Sequence, residues 1–96
     1  MTLAKGAYMK LIFSALLLSL MSNTFAGPEC TKEGKSKWQN QKTFEENLVK
    51  KDGYKIKKFK VTDGNCYEIY GWDKSGKKVE IYFNPVDGSK VKVKSL

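Results

Sequence analysis

The sequence has no histidine, the side chain most often used as a general base near neutral pH. A nucleophile would then need an activating lysine or carboxylate in an enclosed pocket, and no motif supplies one. Ser75 and Ser89 fall in predicted turns without a base beside them. Asp63, Asp73 and Asp87 each come shortly before a turn glycine, where aspartate commonly stabilises the turn. We therefore expect no catalytic residues, no metal site and no cofactor, and predict that the protein is not an enzyme.

Arginine is also absent: all 18 basic residues are lysine, against 10 acidic residues, and the net charge is +8. Specific recognition of bases or phosphates usually relies on the planar fork of arginine, so we expect no nucleic-acid partner. A lysine-only surface produces a diffuse positive field that attracts anionic partners or membrane surfaces. On a terminal strand, lysines also discourage edge-to-edge pairing, which is the alternative explanation for them. The candidate anion-binding residues are the strand lysines Lys55, Lys57, Lys58, Lys60, Lys90, Lys92 and Lys94.

Long apolar runs are scarce, and the one that is present lies near the start of the chain. Residues 11–21 are mostly apolar, follow Lys5 and Lys10, and precede small residues suited to cleavage after Ala26. This run is shorter than the ~20 residues that a membrane-spanning helix needs. An uncleaved membrane anchor is the alternative. The pattern predicts a signal peptide over residues 1–26 and a mature protein that is periplasmic or secreted.

Only two cysteines are present, Cys30 and Cys66, and both lie in the predicted exported part. Export places them in an oxidising compartment, where a disulfide is the expected state. A metal pair and a redox-active dithiol are the alternatives, but the sequence has no second ligand cluster and no C-x-x-C motif. The disulfide would tie an N-terminal arm at residues 27–35 to a domain at residues 36–96. A domain of this size has a marginal core, so such a crosslink would stabilise it considerably.

The first predicted element of the domain is a helix from Ser36 to about Lys51. Ser36 and Gln39 have the spacing of a capping box, in which each side chain bonds the backbone N–H of the other residue. Gly53 follows the helix at a position suited to a left-handed cap. At 100° per residue, four apolar side chains form one stripe that we expect to be buried. These residues are Trp38, Phe44, Leu48 and Val49.

A strand-like run at residues 54–62 follows the helix. Its apolar residues change parity at Lys57-Lys58, so a β-bulge there would turn all of them toward the core. In the alternative interpretation, Tyr54 belongs to the loop between helix and strand. The four apolar residues are Tyr54, Ile56, Phe59 and Val61.

Three further strand-like runs cover residues 66–72, 78–83 and 91–94, separated by turn-forming sequences. Their order predicts an antiparallel meander. The fold class is therefore α+β, with one helix packed on one face of a three- to four-stranded antiparallel sheet. The residues expected to face the core are Tyr67, Ile69, Val79, Ile81, Phe83, Val91 and Val93.

Aromatic residues also occur at positions that alternate away from the predicted core. Tyr70 and Trp72 are in the second run, and Tyr82 is in the third. Aromatic side chains carry much of the binding energy at protein interfaces, so these three are candidate partner-binding residues. Ordinary packing on the sheet is the alternative.

Two turns and a closing strand follow one another between residues 71 and 91. They are Asp73-Lys74-Ser75-Gly76, Asn84-Pro85-Val86-Asp87-Gly88 and Lys90-Val91. This order resembles the C-terminal half of a PepSY domain, which has a D-x-x-G turn, a D-P/A-x-T-G turn and a closing strand. Asn84 and Asp87 stand where that family often has aspartate and threonine. The predicted helix and residues 53–59 are similar to the family's first helix and strand, so the resemblance covers residues 36–94.

The resemblance implies a module that inhibits or modulates a peptidase of the cell envelope and has no catalytic residues of its own. The cysteine pair is similar to that of small exported single-domain members. We therefore expect a non-enzymatic, monomeric binding or regulatory module with an unidentified protein partner, for which a peptidase is one candidate. The alternative hypothesis is a lysine-rich protein that binds a polyanion or the anionic envelope surface.

Overall fold

The computed structural model describes residues 27–96, and the predicted signal peptide lies outside these described residues. One α-helix is followed by four strands, which form an antiparallel sheet in the order β1-β2-β3-β4. This confirms the predicted α+β fold. Among residues 27–96, no helix is long and apolar enough to cross a membrane. The elements are a 3₁₀ turn at Lys35–Lys37, α1 at Gln41–Lys50, β1 at Lys55–Val61, β2 at Tyr67–Trp72, β3 at Lys78–Phe83 and β4 at Lys90–Ser95.

The predicted start of the helix at Ser36 is wrong, because the helix begins at Gln41. Asn40 is the N-cap, and its side chain accepts a hydrogen bond of 3.0 Å from the N–H of Thr43. The preceding residue, Gln39, is held by tertiary contacts: its N–H donates to the Pro85 carbonyl at 2.8 Å. Its own carbonyl accepts from the Tyr67 hydroxyl at 2.6 Å. These two bonds fix Gln39 outside the helix, so the capping box predicted at Ser36 does not form.

The core lies between one face of α1 and one face of β2 and β3. The helix contributes Phe44 and Leu48, and the strands contribute the inward residues expected from their alternation. Trp38 also packs against this core, but from the segment before the helix, with its ring edge-on to Tyr67 at 5.7 Å between centroids. Val49 was predicted to be buried and is 46% exposed, because only one narrow face of the short helix contacts the sheet. The buried core residues are Phe44, Leu48, Tyr54, Tyr67, Ile69, Val79, Ile81 and Phe83.

The predicted bulge in β1 is confirmed by a register shift between Ile56 and Lys58 against β2. It lets Ile56 and Phe59 both pack against the core. Tyr54 is buried too, although it precedes the strand, as the alternative interpretation had it. Val61 is the exception, since it lies exposed at the end of β1.

The inward orientation predicted for Val91 and Val93 does not lead to burial, and β4 is exposed along its whole length. Val93 pairs with Ile81 and therefore lies on the helix side of the sheet, yet it is 54% exposed. The register against β3 skips Val91, which marks an irregularity there. In the described part of the chain, no β4 residue belongs to the core, because the apolar face of α1 packs on β2 and β3.

The N-terminal arm is fastened to the turn between β1 and β2. Cys30 and Cys66 form the expected disulfide, with Cα atoms 5.1 Å apart. The Cys30 N–H donates to the Gly64 carbonyl at 2.9 Å. A side chain at Gly64 would overlap the Pro28 carbonyl oxygen, so glycine is what allows this close approach.

Candidate functional site

The side of the sheet away from α1 is called the open face here. Strand alternation places eleven side chains on it, and the register arranges most of them in two rows. In each row, one glutamate and one tyrosine lie between two lysines. The glutamate is on β2 in the first row and on β3 in the second. The rows are Lys60–Glu68–Tyr82–Lys92 and Lys58–Tyr70–Glu80–Lys94. Beyond them, Trp72 pairs with Lys55 on one side and with Lys78 on the other.

The two glutamates of the open face are buried, although none of the helices and strands of residues 27–96 packs on that side of the sheet. Glu68 is 1% exposed and Glu80 is 6% exposed. The Nζ of Lys60 lies 3.5 Å from Glu68 Oε1, and the Nζ of Lys94 lies 3.9 Å from Glu80 Oε1. The Tyr82 hydroxyl donates to Glu80 Oε2 at 3.0 Å. Among residues 27–96, Glu68 Oε2 has no hydrogen-bond partner, which leaves a buried polar atom unsatisfied.

The two carboxyls influence each other's ionisation in opposite directions. Burial raises the pKa of Glu68, and the neighbouring Glu80 raises it further. The Glu68 carboxyl, together with the tyrosines, lowers the pKa of Glu80 to about 2. Glu80 also raises the pKa of the Tyr70 hydroxyl above its ordinary value, and burial with Glu80 does the same for Tyr82. Both phenols therefore stay protonated at neutral pH and can donate hydrogen bonds toward the carboxyls.

All three predicted partner-binding aromatics lie on the open face and are half-buried. Tyr70 and Tyr82 belong to the two rows, beside the glutamates. Trp72 lies at the end of β2 and borders a cavity of about 410 Å³ whose wall also includes Tyr70, Lys78 and Leu96. The Nζ of Lys55 is 5.7 Å from the centroid of the Trp72 ring, a distance typical of a cation–π contact.

Comparison with protein families gives a match over nearly the whole chain. A family model described as "Peptidase propeptide and YPEB domain" matches residues 8–94, nearly the whole chain. The protein belongs to the PepSY family. The resemblance noted from the turns and strands is thereby confirmed. A search of curated proteins and a search of solved structures gave no significant match.

PepSY domains are generally non-catalytic, propeptide-like modules, so family membership directs attention to surfaces rather than to a catalytic centre. Among the described residues 27–96, no group of three or more acidic or cysteine side chains could hold a metal ion. Another cavity, of about 650 Å³, lies between the end of α1 and the β2–β3 turn. It is lined mainly by exposed side chains, including Lys50, Lys51 and Lys74. The open face is the better candidate site because it combines aromatic and buried polar groups.

The structure does not gather the seven candidate anion-binding lysines into one patch. Four belong to the two rows of the open face, and Lys55 lies on the same face opposite Trp72. Lys57 is the bulge residue of β1 and lines the Trp72 cavity. Lys90 pairs with Phe83 on the helix side, where its Nζ lies 5.6 Å from the Tyr54 ring centroid.

Glu68 and Glu80 are the site residues that sequence reasoning missed. Their positions follow from the same alternation that placed Tyr70 and Tyr82 outward. A signal was present, because each glutamate is two residues from a tyrosine on its own strand. Pairing of β2 with β3 converts that spacing into a four-residue cluster.

Proposed function

We propose that this PepSY module is an exported, non-enzymatic regulator that binds an acidic surface of a partner protein through its open face. The first partner class to test is an envelope peptidase. The observation that carries the proposal is the composition of this face: three half-buried aromatic side chains lie within rows of lysines, on the side of the sheet that α1 leaves uncovered.

The tyrosines suit this role because their orientation is fixed before a partner arrives. The Tyr82 hydroxyl is bonded to Glu80, and Tyr70 lies between Glu80 and the Lys60 ammonium, whose Nζ is 5.9 Å from the Tyr70 centroid. A side chain that is already ordered loses less entropy on binding. Tyrosine and tryptophan are also enriched among the residues that dominate interface energies.

The cavity beside Trp72 gives the surface a place for an inserted group. Trp72 and Tyr70 supply apolar and aromatic walls, and Lys57, Lys58 and Lys78 surround them with positive charge. Such a site favours a partner segment that carries an apolar side chain next to a carboxylate. The lysines would accelerate association with an acidic surface, and the aromatic contacts would hold the complex.

A crosslinking pull-down with the oxidised exported protein tests this proposal at low and at high salt. Envelope extract is probed with the wild type, Tyr70→Ala and Trp72→Ala, and with Val49→Ala as a control on the exposed side of α1. Support requires saturable binding of one protein that both aromatic variants lose and the control keeps. A captured peptidase must also lose activity on titration with the wild type. If correctly folded Tyr70→Ala and Trp72→Ala capture the partner as well as the wild type does, the open face is not the binding surface.

A second candidate function rests on the exposed lysines of both edge strands. The lysines of β1 and β4 border the sheet on its two sides and could attract a polyanion or an anionic membrane surface. Such attraction is screened over about 10 Å at 0.1 M salt. Binding to anionic lipid vesicles that disappears between low and high salt would favour this function. Binding that is insensitive to salt would exclude it.

A further inference from the structure

The glutamate pair of the open face lies beside a small acidic pocket. Its cavity of about 270 Å³ is bordered by Glu68, Asp63, Tyr70 and Tyr82, with Lys60 as the cation on its wall. The Nζ of Lys60 is near Glu68 Oε1, which leaves Glu68 Oε2 without a hydrogen-bond partner among the described residues. A buried carboxylate oxygen in this state costs free energy until a donor reaches it. The pocket therefore has the chemistry to bind a small cation with several N–H donors.

Gly27, in the N-terminal arm, lies next to Tyr82 of the open face. A Cβ built on Gly27 would lie 3.0 Å from Cε2 and 3.1 Å from the hydroxyl oxygen of Tyr82. That hydroxyl is the group bonded to Glu80 Oε2. Gly27 also has a φ of +89°, a conformation that side-chain-bearing residues rarely adopt. The N-terminal end of the arm thus reaches the Tyr82 ring, whose hydroxyl is hydrogen-bonded to Glu80.

We propose that cleavage after Ala26 creates the ligand of this pocket: the new α-ammonium group of Gly27 forms an ion pair with Glu68 and Glu80. Hydrolysis of the Ala26–Gly27 peptide bond by a signal peptidase consumes one water molecule. It leaves a carboxylate on Ala26 and an amine on Gly27, which takes up a proton at neutral pH. An ammonium group has three N–H donors, so it can donate hydrogen bonds to Glu68 Oε2 and to the Glu80 carboxyl at the same time.

The arm is well placed to deliver this group. Only two residues separate Gly27 from Cys30, whose disulfide to Cys66 anchors the arm to the start of β2. The backbone bond from Cys30 to Gly64 fixes the same segment again. A tether this short gives the ammonium a high effective concentration at the pocket. The proposal depends on the predicted cleavage site and is independent of partner binding.

Side chains from the neighbouring strands and turn compete with the Gly27 ammonium for the two carboxyls, Glu68 and Glu80. Lys60 of β1 and Lys94 of β4 approach the Oε1 atoms, and Tyr82 of β3 donates to Glu80 Oε2. Tyr70 and the turn residue Asp63 complete the surroundings. Among residues 27–96, none of these groups forms a hydrogen bond with Glu68 Oε2. The tethered ammonium of Gly27 takes that position after cleavage.

The test begins with the intact mass of the exported protein, which identifies its first residue. Three oxidised forms are then compared: one beginning at Gly27, one that retains Ala26, and one with an acetylated Gly27 amine. We expect the Gly27 amine to titrate above the ordinary value of about 8. A pKa one unit higher would slow its chemical acetylation at pH 7 about tenfold. The form beginning at Gly27 should also have the highest melting temperature.

Glutamate variants separate the ion pair from a general effect of the N-terminus. Glu68→Gln with Glu80→Gln should remove the difference between the Gly27 and Ala26 forms. The control is Glu46→Gln. Glu46 is exposed, its Oε2 lies 3.6 Å from Lys50 Nζ, and its replacement should preserve the difference between the Gly27 and Ala26 forms. An exported protein that begins at another residue would overturn the proposal. An ordinary amine pKa, or equal melting temperatures of the Gly27 and Ala26 forms, would also overturn it.

Discussion

Glu68 on β2 and Glu80 on β3 lie diagonally across one strand pair, because Glu68 is opposite Tyr82 and Tyr70 is opposite Glu80. Each carboxyl therefore has a tyrosine across the ladder and a lysine on the neighbouring outer strand. The long side chains of these neighbours cover the carboxyls and reduce their exposure to a few per cent. A buried polar cluster is built in this way on the sheet face that α1 leaves uncovered.

The first prediction concerns the pH dependence of stability in the Gly27-acetylated protein, where no ammonium competes for Glu68. A raised pKa means that folded Glu68 binds its proton more tightly than the unfolded chain does. Its contribution is therefore complete below the ordinary pKa and is lost as the pH rises through the folded value. Glu80 acts in the opposite sense: its contribution is present above the ordinary pKa and is lost as the pH falls toward about 2.

Glu68→Gln mimics the protonated side chain, so we expect it to remove the loss of stability above pH ~4.5. Urea unfolding at pH 4.5 and pH 7 measures this as a smaller difference between the two midpoints than in the parent protein. Glu46→Gln is the control, since that side chain is exposed on α1. An unchanged pH dependence in Glu68→Gln would contradict the assignment.

A second prediction concerns the start of the helix. Asn40→Ala removes the side-chain acceptor for the Thr43 N–H and should lower the free energy of unfolding by about 1 kcal/mol. Ser36→Ala should change it little, because Ser36 lies in the 3₁₀ turn before the helix. Chemical denaturation of both variants measures the two effects. A larger loss of stability in Ser36→Ala than in Asn40→Ala would support Ser36 as the N-cap.

A further prediction concerns Gly71 of β2, where the bulge of β1 leaves no room for a side chain. Gly71 is opposite Ile56 at the register shift, and a side chain there would overlap the Lys55 carbonyl oxygen. We expect Gly71→Ala to destabilise the protein by about 2 kcal/mol through overpacking. Gly34→Ala is the matched control, because a Cβ at Gly34 meets nothing within 4 Å. Equal melting temperatures of the two variants would contradict this interpretation.

The disulfide should contribute a large part of the stability of so small a domain. Replacing both Cys30 and Cys66 by serine is expected to lower the free energy of unfolding by about 2–5 kcal/mol. Urea unfolding of the oxidised, reduced and double-serine proteins measures the effect. The reduced wild type should resemble the double variant, and a reduced protein as stable as the oxidised one would show that the crosslink is dispensable.

Features that depend on neighbours along the chain could be predicted from the sequence. The strands followed from alternation and from turn residues, and the β1 bulge followed from the change of parity at Lys57-Lys58. The start of the helix could not be predicted in this way, because Ser36 and Asn40 both suit an N-cap. Contacts of Gln39 with Pro85 and Tyr67, which are distant in sequence, favour Asn40.

The sequence by itself determined the order of the elements, the inward faces of β2 and β3 and the excess of lysine, because each is set by residue type and spacing. Tertiary structure decided how much of the sheet the helix covers, and therefore why Val93 stays exposed although it shares a face with Ile81. It also decided the burial of Glu68 and Glu80. Alternation places a carboxyl outward, where water normally solvates it, and side chains paired beside it on adjacent strands exclude that water.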